Sequence, residues 1–381
     1  MSKHKINMNN KKFVLGQYFT RRQVVDRVIS LLLEYKKFNK NIKILEPSSG
    51  TGNFVRGLKE KGFTNIQECE IDKNLTNKPC DFFLFDLNKK FDLIIGNPPF
   101  TKYNVKDSYF YPRKFFDKEI KPSQYLTAKT LNKKKFPMEN AFILKSIKHL
   151  KNKDSSIGFV LPISFFIAKK NKEIKEEITR RFNTIIIYQN DKNMVDKPIP
   201  CCFAIFTNTE EYKNKIILIY EDGENIKEVL GIKNLIKEEL IPKIFLYKKN
   251  NHQNGTPLSE YLLEKTPKYQ RDYKRNNISG ANILTKTKIP EGERVEDYSL
   301  AVVRVGNSSI GKAGLINIKK DVLNDMFYVF NFNEKYNTDK ELKEKIVLEI
   351  NNNQEHFKNL SIRVGSRSMK KSDLLNFRIN L

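Results

Sequence analysis

Apolar positions recur at helical and strand periods through residues 1–225 and lose that regularity afterwards. Val24, Val25, Val28, Ile29, Leu32 and Leu33 share one face of a helix predicted over 21–37, with Thr20 placed to cap it. A short apolar run (42–45) leads into a glycine-containing turn (46–52), and a second helix is predicted from Asn53. Strands are predicted at 65–71, 91–97, 157–162, 184–188, 201–207 and 215–221, with helices at 139–150 and 170–181 between them. Strands that alternate with helices, and are apolar almost throughout, specify an α/β fold whose parallel-rich sheet has helices on both faces. From residue 226 the segments become short and mixed, which predicts a smaller α+β domain over 226–381.

Composition adds one outlier. Seventy basic against 44 acidic residues give a net charge of +26 and a pI near 9.6, the footprint of a polyanion partner. The excess is spread over both predicted domains: 42 basic and 25 acidic residues in 1–225, and 28 and 19 in 226–381. The segment 101–138 carries ten basic residues against three acidic ones, Lys133, Lys134 and Lys135 among them, and reads as a basic insertion loop. Four cysteines without CxxC spacing predict neither a disulfide framework nor, with four histidines, a metal site. No apolar run reaches the ~20 residues of a membrane span, and no apolar core follows the basic N-terminus. A cytoplasmic, metal-free protein is the expectation.

Two motifs carry chemistry. Leu45-Glu46-Pro47-Ser48-Ser49-Gly50-Thr51-Gly52-Asn53 joins a strand to a helix, where glycines let backbone approach a ligand at the carboxyl edge of a sheet. It lacks the Gly-Lys-Ser/Thr ending of a phosphate loop, and its opening acid suits a cationic ligand. Glu70 closes the next strand, where a carboxylate accepts ribose hydroxyls. A cationic nucleoside without phosphates fits the pair, and S-adenosylmethionine is the candidate. The second motif is Asn97-Pro98-Pro99-Phe100, ending the third strand. Two prolines stop ladder pairing and turn the chain sharply. An amide oxygen, a main-chain carbonyl and an aromatic face are thereby presented together, a set able to hold an exocyclic amine.

With these residues in that order, residues 1–225 resemble the S-adenosylmethionine-dependent DNA adenine-N6 methyltransferases. The likeness is to the restriction–modification type, with an N-terminal cofactor half and a C-terminal target-recognition domain. The resemblance implies a Rossmann-like methyltransferase sheet. It assigns Thr20, in Gly16-Gln17-Tyr18-Phe19-Thr20, to the methionine moiety, and Glu46, Pro47, Ser48, Gly50 and Gly52 to the first cofactor motif. It assigns Glu70 to the ribose with Ile71 beside the adenine ring, and matches Asp81-Phe82 to the cofactor-binding Asp-Phe pair, whose Asp takes the cofactor's adenine amino group. Asn97, Pro98, Pro99 and Phe100 take the catalytic role, Phe100 standing where tyrosine is commoner. The family commonly places a base-stacking aromatic just before the strand matching 201–207. Residues 193–200 hold none; Met194 is nearest in register, and a tyrosine of the 101–138 insertion is the alternative.

The resemblance further implies that the target adenine is flipped out of double-stranded DNA, and that a separate cognate restriction endonuclease could accompany the enzyme. In residues 226–381 the DNA-contact candidates are Arg304, in an Arg-Val-Gly run, and Arg363, Arg367 and Lys370, in a second. Three other readings stay open on sequence: an RNA adenine or guanine methyltransferase, a protein-glutamine methyltransferase with the same Asn-Pro-Pro-aromatic grip, and a non-catalytic DNA-binding specificity subunit.

Overall fold

The computed structural model of the chain describes residues 16–104, 135–167, 171–190, 193–222, 224–250, 254–272, 277–364 and 366–380. They form two compact units that divide between Lys243 and Ile244.

The first unit is built on an eight-stranded sheet. In chain order its strands are β1 (Ile44–Glu46), β2 (Ile66–Glu68), β3 (Leu93–Gly96), β4 (Ser156–Pro162), β5 (Thr184–Asn190), β6 (Cys201–Thr207), β7 (Lys215–Asp222) and β8 (Glu224–Gly231). Their spatial order is β8-β7-β5-β6-β4-β3-β1-β2. Strands β2, β1, β3 and β4 run parallel, while β6 runs antiparallel to both β4 and β5. This is the α/β, Rossmann-like arrangement expected. Helix α1 (Arg22–Tyr35) buries Val24, Val25, Val28, Ile29, Leu31 and Leu32, and α2 (Asn53–Glu60) buries Phe54, Val55 and Leu58. Both share a core with Ile44, Leu93, Ile95, Ile186 and Phe203 from the sheet. Neighbouring strand residues Ile94, Phe159, Leu161, Ile185 and Ile187 point to the opposite face and are also fully buried. Helix α3 (Met138–His149) accordingly has almost no polar exterior, and ten of its twelve residues are buried. A charged helix, α4 (Lys172–Arg181), follows β4.

Three sequence expectations are corrected. The first unit runs past residue 225 because β8 pairs antiparallel with β7 along its whole length; as an edge strand with Val229 exposed, it lacks the apolar run of its neighbours. Thr20 does not cap α1: the N-cap is Arg21, and Thr20 bridges to Val195. Cys69 and Cys80 are disulfide-bonded, their Cα atoms 5.0 Å apart. The chain leaving β2 doubles back within eleven residues, which spacing alone does not reveal.

The insertion expected at 101–138 falls mostly outside the described residues. Its two ends, Lys102–Asn104 and Lys135–Pro137, pair as an antiparallel ribbon, and the Met138 amide donates to the Thr101 carbonyl at 2.9 Å.

The second unit holds a three-stranded antiparallel sheet of β9 (Tyr298–Val303), β10 (Ala313–Asn317) and β11 (Phe327–Phe330), with β9 central. Helix α5 (Lys340–Asn352), capped by the Asp339 carboxylate, packs Ile346, Val347 and Ile350 against Leu300, Leu315 and Phe330. Among the described residues no helix is long and apolar enough to cross a membrane.

Candidate active site

The carboxyl ends of β1, β2 and β3 open onto a cleft of about 750 Å³. Thr20, Glu46, Pro47, Ser48, Gly50, Glu70, Ile71, Asp81, Phe82, Asn97 and Pro99, all predicted from sequence, line it. Gly52 is instead the N-cap of α2, and Pro98 and Phe100 are not among the lining residues.

The turn after β1 is shaped by crowding. Gly50 has φ +54°, and a Cβ there would lie 3.0 Å from the Phe19 ring, so only glycine satisfies both constraints. The Gly50 amide donates to Glu70 Oε2 at 2.7 Å, and the Asp72 amide donates to Glu70 Oε1 at 2.7 Å. Glu70 thus braces the turn with a carboxylate edge still directed to the cleft. Burial raises its pKa, while the Asp72 and Gly50 amides oppose that shift. Glu46 is fully enclosed, its Oε2 accepting from the Val55 amide at 3.1 Å in the first turn of α2. Burial, reinforced by Glu68, pushes this carboxyl well above the usual range.

At the other end of the cleft, Asp81 Oδ1 accepts from the Phe83 amide at 2.9 Å, whereas its Oδ2 is buried without a partner among the described residues. Burial pushes the carboxyl up to about 6, against the Phe83 amide and the Lys145 ammonium. Lys145 sits in the apolar face of α3, fully buried, donating to the carbonyls of Phe83 at 2.6 Å and Phe85 at 3.2 Å. It fixes the short 3₁₀ turn that carries Asp81 and Phe82. Burial lowers its pKa to about 8, opposed by Asp81. Phe142, also on α3, lines the cleft with its ring centroid 5.0 Å from that of Phe82.

The third corner is the end of β3. Asn97 Nδ2 donates to the Tyr18 carbonyl at 2.5 Å, leaving Oδ1 buried and unpartnered among the described residues. The Asn97 carbonyl accepts from Ser48 Oγ at 3.0 Å, tying the turn after β1 to the end of β3. The Phe100 amide donates to the Gly16 carbonyl at 3.2 Å. Gly16 has φ +62°, and a Cβ would meet the Phe100 backbone at 3.1 Å, so the two segments close only with glycine there.

Three polar atoms around the cleft are therefore buried and unsatisfied among the described residues: Thr20 Oγ1, Asp81 Oδ2 and Asn97 Oδ1. Such atoms are costly unless a ligand supplies their hydrogen bonds. Two carboxylates at one end, aromatic rings around Asp81 and, among the described residues, no basic side chain in the wall fit a cationic nucleoside, and S-adenosylmethionine meets that description.

Of the DNA-contact candidates, Lys133 and Lys134 lie outside the described residues, and Lys135 opens the ribbon strand Lys135–Pro137. Met194 is 1% exposed in the sheet core, and its carbonyl accepts from the Arg21 amide at 3.0 Å. A side chain packed on all sides has no face for a base, so the expected stacking role fails at that position. The two Arg-Val-Gly runs meet in the second unit. Val305 bridges to Ser368, the Gly306 amide donates to the Arg367 carbonyl at 3.0 Å, and the Met369 amide donates to the Arg304 carbonyl at 2.9 Å. Arg363 pairs with Arg367 across the hairpin of Ile362–Val364 and Ser366–Ser368. Lys370 caps the following short helix, Lys371–Leu375. Sequence reasoning does not assign Tyr18, Lys145 or Phe142. A lone lysine within the apolar run of α3 is the available signal for the second.

Residues 20–195 match the model of the Eco57I restriction-modification methylase family. The chain is 32% identical over 198 residues to the type II methyltransferase M.HincII of Haemophilus influenzae, an alignment covering 48% of this chain and 35% of that protein. It is 27% identical over 184 residues to M.TthHB8I of Thermus thermophilus, covering 45% and 41%. The chain thus spans well under half the length of these relatives. Among solved structures, the type IIL restriction-modification enzyme MmeI in complex with DNA superposes with a TM-score of 0.44 at 12% identity, over 93% of this chain and 64% of that one. The methyltransferase subunit of a type I system from Streptococcus thermophilus gives 0.40 at 16% identity, over 65% and 57%. The stretch that is similar to the Eco57I restriction-modification methylase family, residues 20–195, carries most of the cleft lining and the Asn-Pro-Pro-Phe corner.

Proposed function

We propose that the chain is a site-specific DNA adenine-N6 methyltransferase, the modification enzyme of a restriction–modification system. The observation that carries this reading is the Asn97 side chain: its amide nitrogen is held by the Tyr18 carbonyl, so its oxygen is the end left unsatisfied beside the cleft. Asn97 Oδ1 and the Pro98 carbonyl accept the two hydrogens of an adenine amino group, and Phe100 lies against the ring. The acceptors hold the nitrogen lone pair in line and favour the charge that builds on it. S-adenosylmethionine, when bound, supplies a methyl group on a sulfonium sulfur. Thr20 meets its methionine end, Glu70 its ribose hydroxyls, and Asp81 its adenine amino group, among Ile71, Phe82 and Phe142. Adenine reaches such a corner only when extruded from the duplex, at a cost of a few kcal/mol that stacking and backbone contacts offset. Labelled methyl groups are expected in duplex DNA as N6-methyladenine; label in RNA or protein alone would overturn the reading.

The Asp81 assignment has a pH signature. Only the ionised carboxyl accepts without donating, so cofactor affinity should hold above about pH 6 and fall as pH drops through its pKa of about 6. Well below that value the loss approaches about tenfold per pH unit. Lys145 (pKa about 8), the charge acting on Asp81, stays charged below about pH 7, and His149 beside Phe82, lowered to about 4 by burial, stays neutral. Calorimetric titration from about pH 7 to about pH 5 measures it, and Asp81→Asn should flatten the profile.

For the second unit, the joined Arg-Val-Gly runs supply a DNA-contacting edge that includes Arg304, Arg363, Arg367 and Lys370. Arg304 Nε is used internally, donating to the Asp325 carbonyl at 2.8 Å. Arg367 Nη1 likewise donates to the Lys358 carbonyl at 3.0 Å, and we expect the hairpin arginines to share the phosphate contacts. Replacing Arg363 and Arg367 together by glutamine should lower the slope of log affinity against log salt by about 2, one unit for each phosphate no longer neutralised.

A further inference from the structure

Resting on the adenine reading above, we propose that Tyr18 is the second wall of the target-base slot, opposite Phe100. A flipped base is held most firmly between two faces. Residues 193–200 offer no aromatic side chain, and Met194 is consumed by the core. Tyr18 is the ring the fold places against Phe100: their centroids are 5.9 Å apart and their planes 27° from parallel. The same residue anchors the catalytic amide through its carbonyl, so acceptor and ring belong to one rigid piece.

The spacing defines how the slot works. Two stacked contacts of ~3.5 Å need ~7 Å between the outer rings, so the 5.9 Å pair must part by about 1 Å to admit a base. The Gly16–Thr20 segment is anchored at both ends. Gly16 is clasped to Phe100, and Asn53 Nδ2 donates to the Thr20 carbonyl at 2.7 Å. The Phe19 amide also donates to Asp196 Oδ1 at 3.1 Å. Between these anchors the Tyr18 ring is partly exposed, packed at the margin of the sheet core rather than within it. Without DNA the two rings cover each other, and the base inserts between them.

The test separates ring from carbonyl, because Tyr18→Ala keeps the main-chain acceptor for Asn97. The substrate is a duplex containing the site at which the wild-type enzyme deposits N6-methyladenine, assayed in single turnover at saturating S-adenosylmethionine. Tyr18→Ala should lower the transfer rate about 10- to 100-fold, Tyr18→Leu should stay low, and Tyr18→Phe should restore it. The defect should shrink when the target adenine faces an abasic site, since a base already unpaired depends less on the slot. A rate for Tyr18→Ala equal to wild type, or the same defect on both substrates, overturns the proposal. A wild-type enzyme that leaves no N6-methyladenine in DNA overturns the reading beneath it instead.

Discussion

Asn97→Ala is expected to lower methyl transfer to duplex DNA by about 10²- to 10³-fold or more, the loss seen when one preorganised acceptor or donor is removed from a reacting centre. Cofactor affinity should change little, because Asn97 meets the cleft with the atom assigned to the substrate base. The alanine also releases the Tyr18 carbonyl that Asn97 Nδ2 occupies at 2.5 Å. Asn97→Asp is the sharper variant: it keeps two acceptor oxygens but cannot donate to that carbonyl, so its carboxylate should turn away. Both variants should therefore lose transfer, as measured in single turnover with labelled cofactor. A rate for Asn97→Ala within about tenfold of wild type would remove this residue from the chemistry.

The second large effect is expected at Glu70. Its carboxylate accepts from the amides of Gly50 and Asp72, both at 2.7 Å, and is assigned to the cofactor's ribose. Charge-assisted hydrogen bonds contribute about 1.5–3 kcal/mol each, so Glu70→Ala should raise the Kd for S-adenosylmethionine about 100-fold. Part of that loss comes from the Gly50 turn, which relaxes once its amide has no acceptor. Glu70→Gln keeps one acceptor oxygen and should fall between the two. Equilibrium binding reads the effect, with thermal unfolding of the unliganded variant reporting how much of it is structural.

What is legible in the sequence is local. The Gly-rich turn, Glu70 and Asn97-Pro98-Pro99-Phe100 each sit at the end of a strand, where a few adjacent residues fix both backbone and chemistry. The apolar strands β3 to β7 are readable because burial on both faces leaves little room for polar residues. What escapes depends on partners distant in sequence. Tyr18 gains meaning only because Gly16 closes on Phe100, and Phe142 only because α3 packs beside the turn at 82–84. Thr20 resembles a helix cap because capping is a rule of neighbours, whereas its bridge to Val195 is not. Met194 stands in the right register yet lies inside the sheet core. Edge strand β8 does not announce itself because one of its faces meets solvent.

The buried lysine on α3 bears on how this protein could be redesigned. Anyone widening the nucleoside end to admit cofactor analogues would turn first to Asp81. Its carboxylate is the acid that favours the charged form of Lys145 there, an enclosed ammonium that also donates to the Phe83 and Phe85 carbonyls, and removing an opposing charge from an enclosed ion is destabilising. A change at Asp81 alone would thus be felt as lost stability before any gain in scope, and a neutral residue at 145 would have to accompany it. The methionine end, where Thr20 and Ser48 carry no charge, is the more tolerant place to begin.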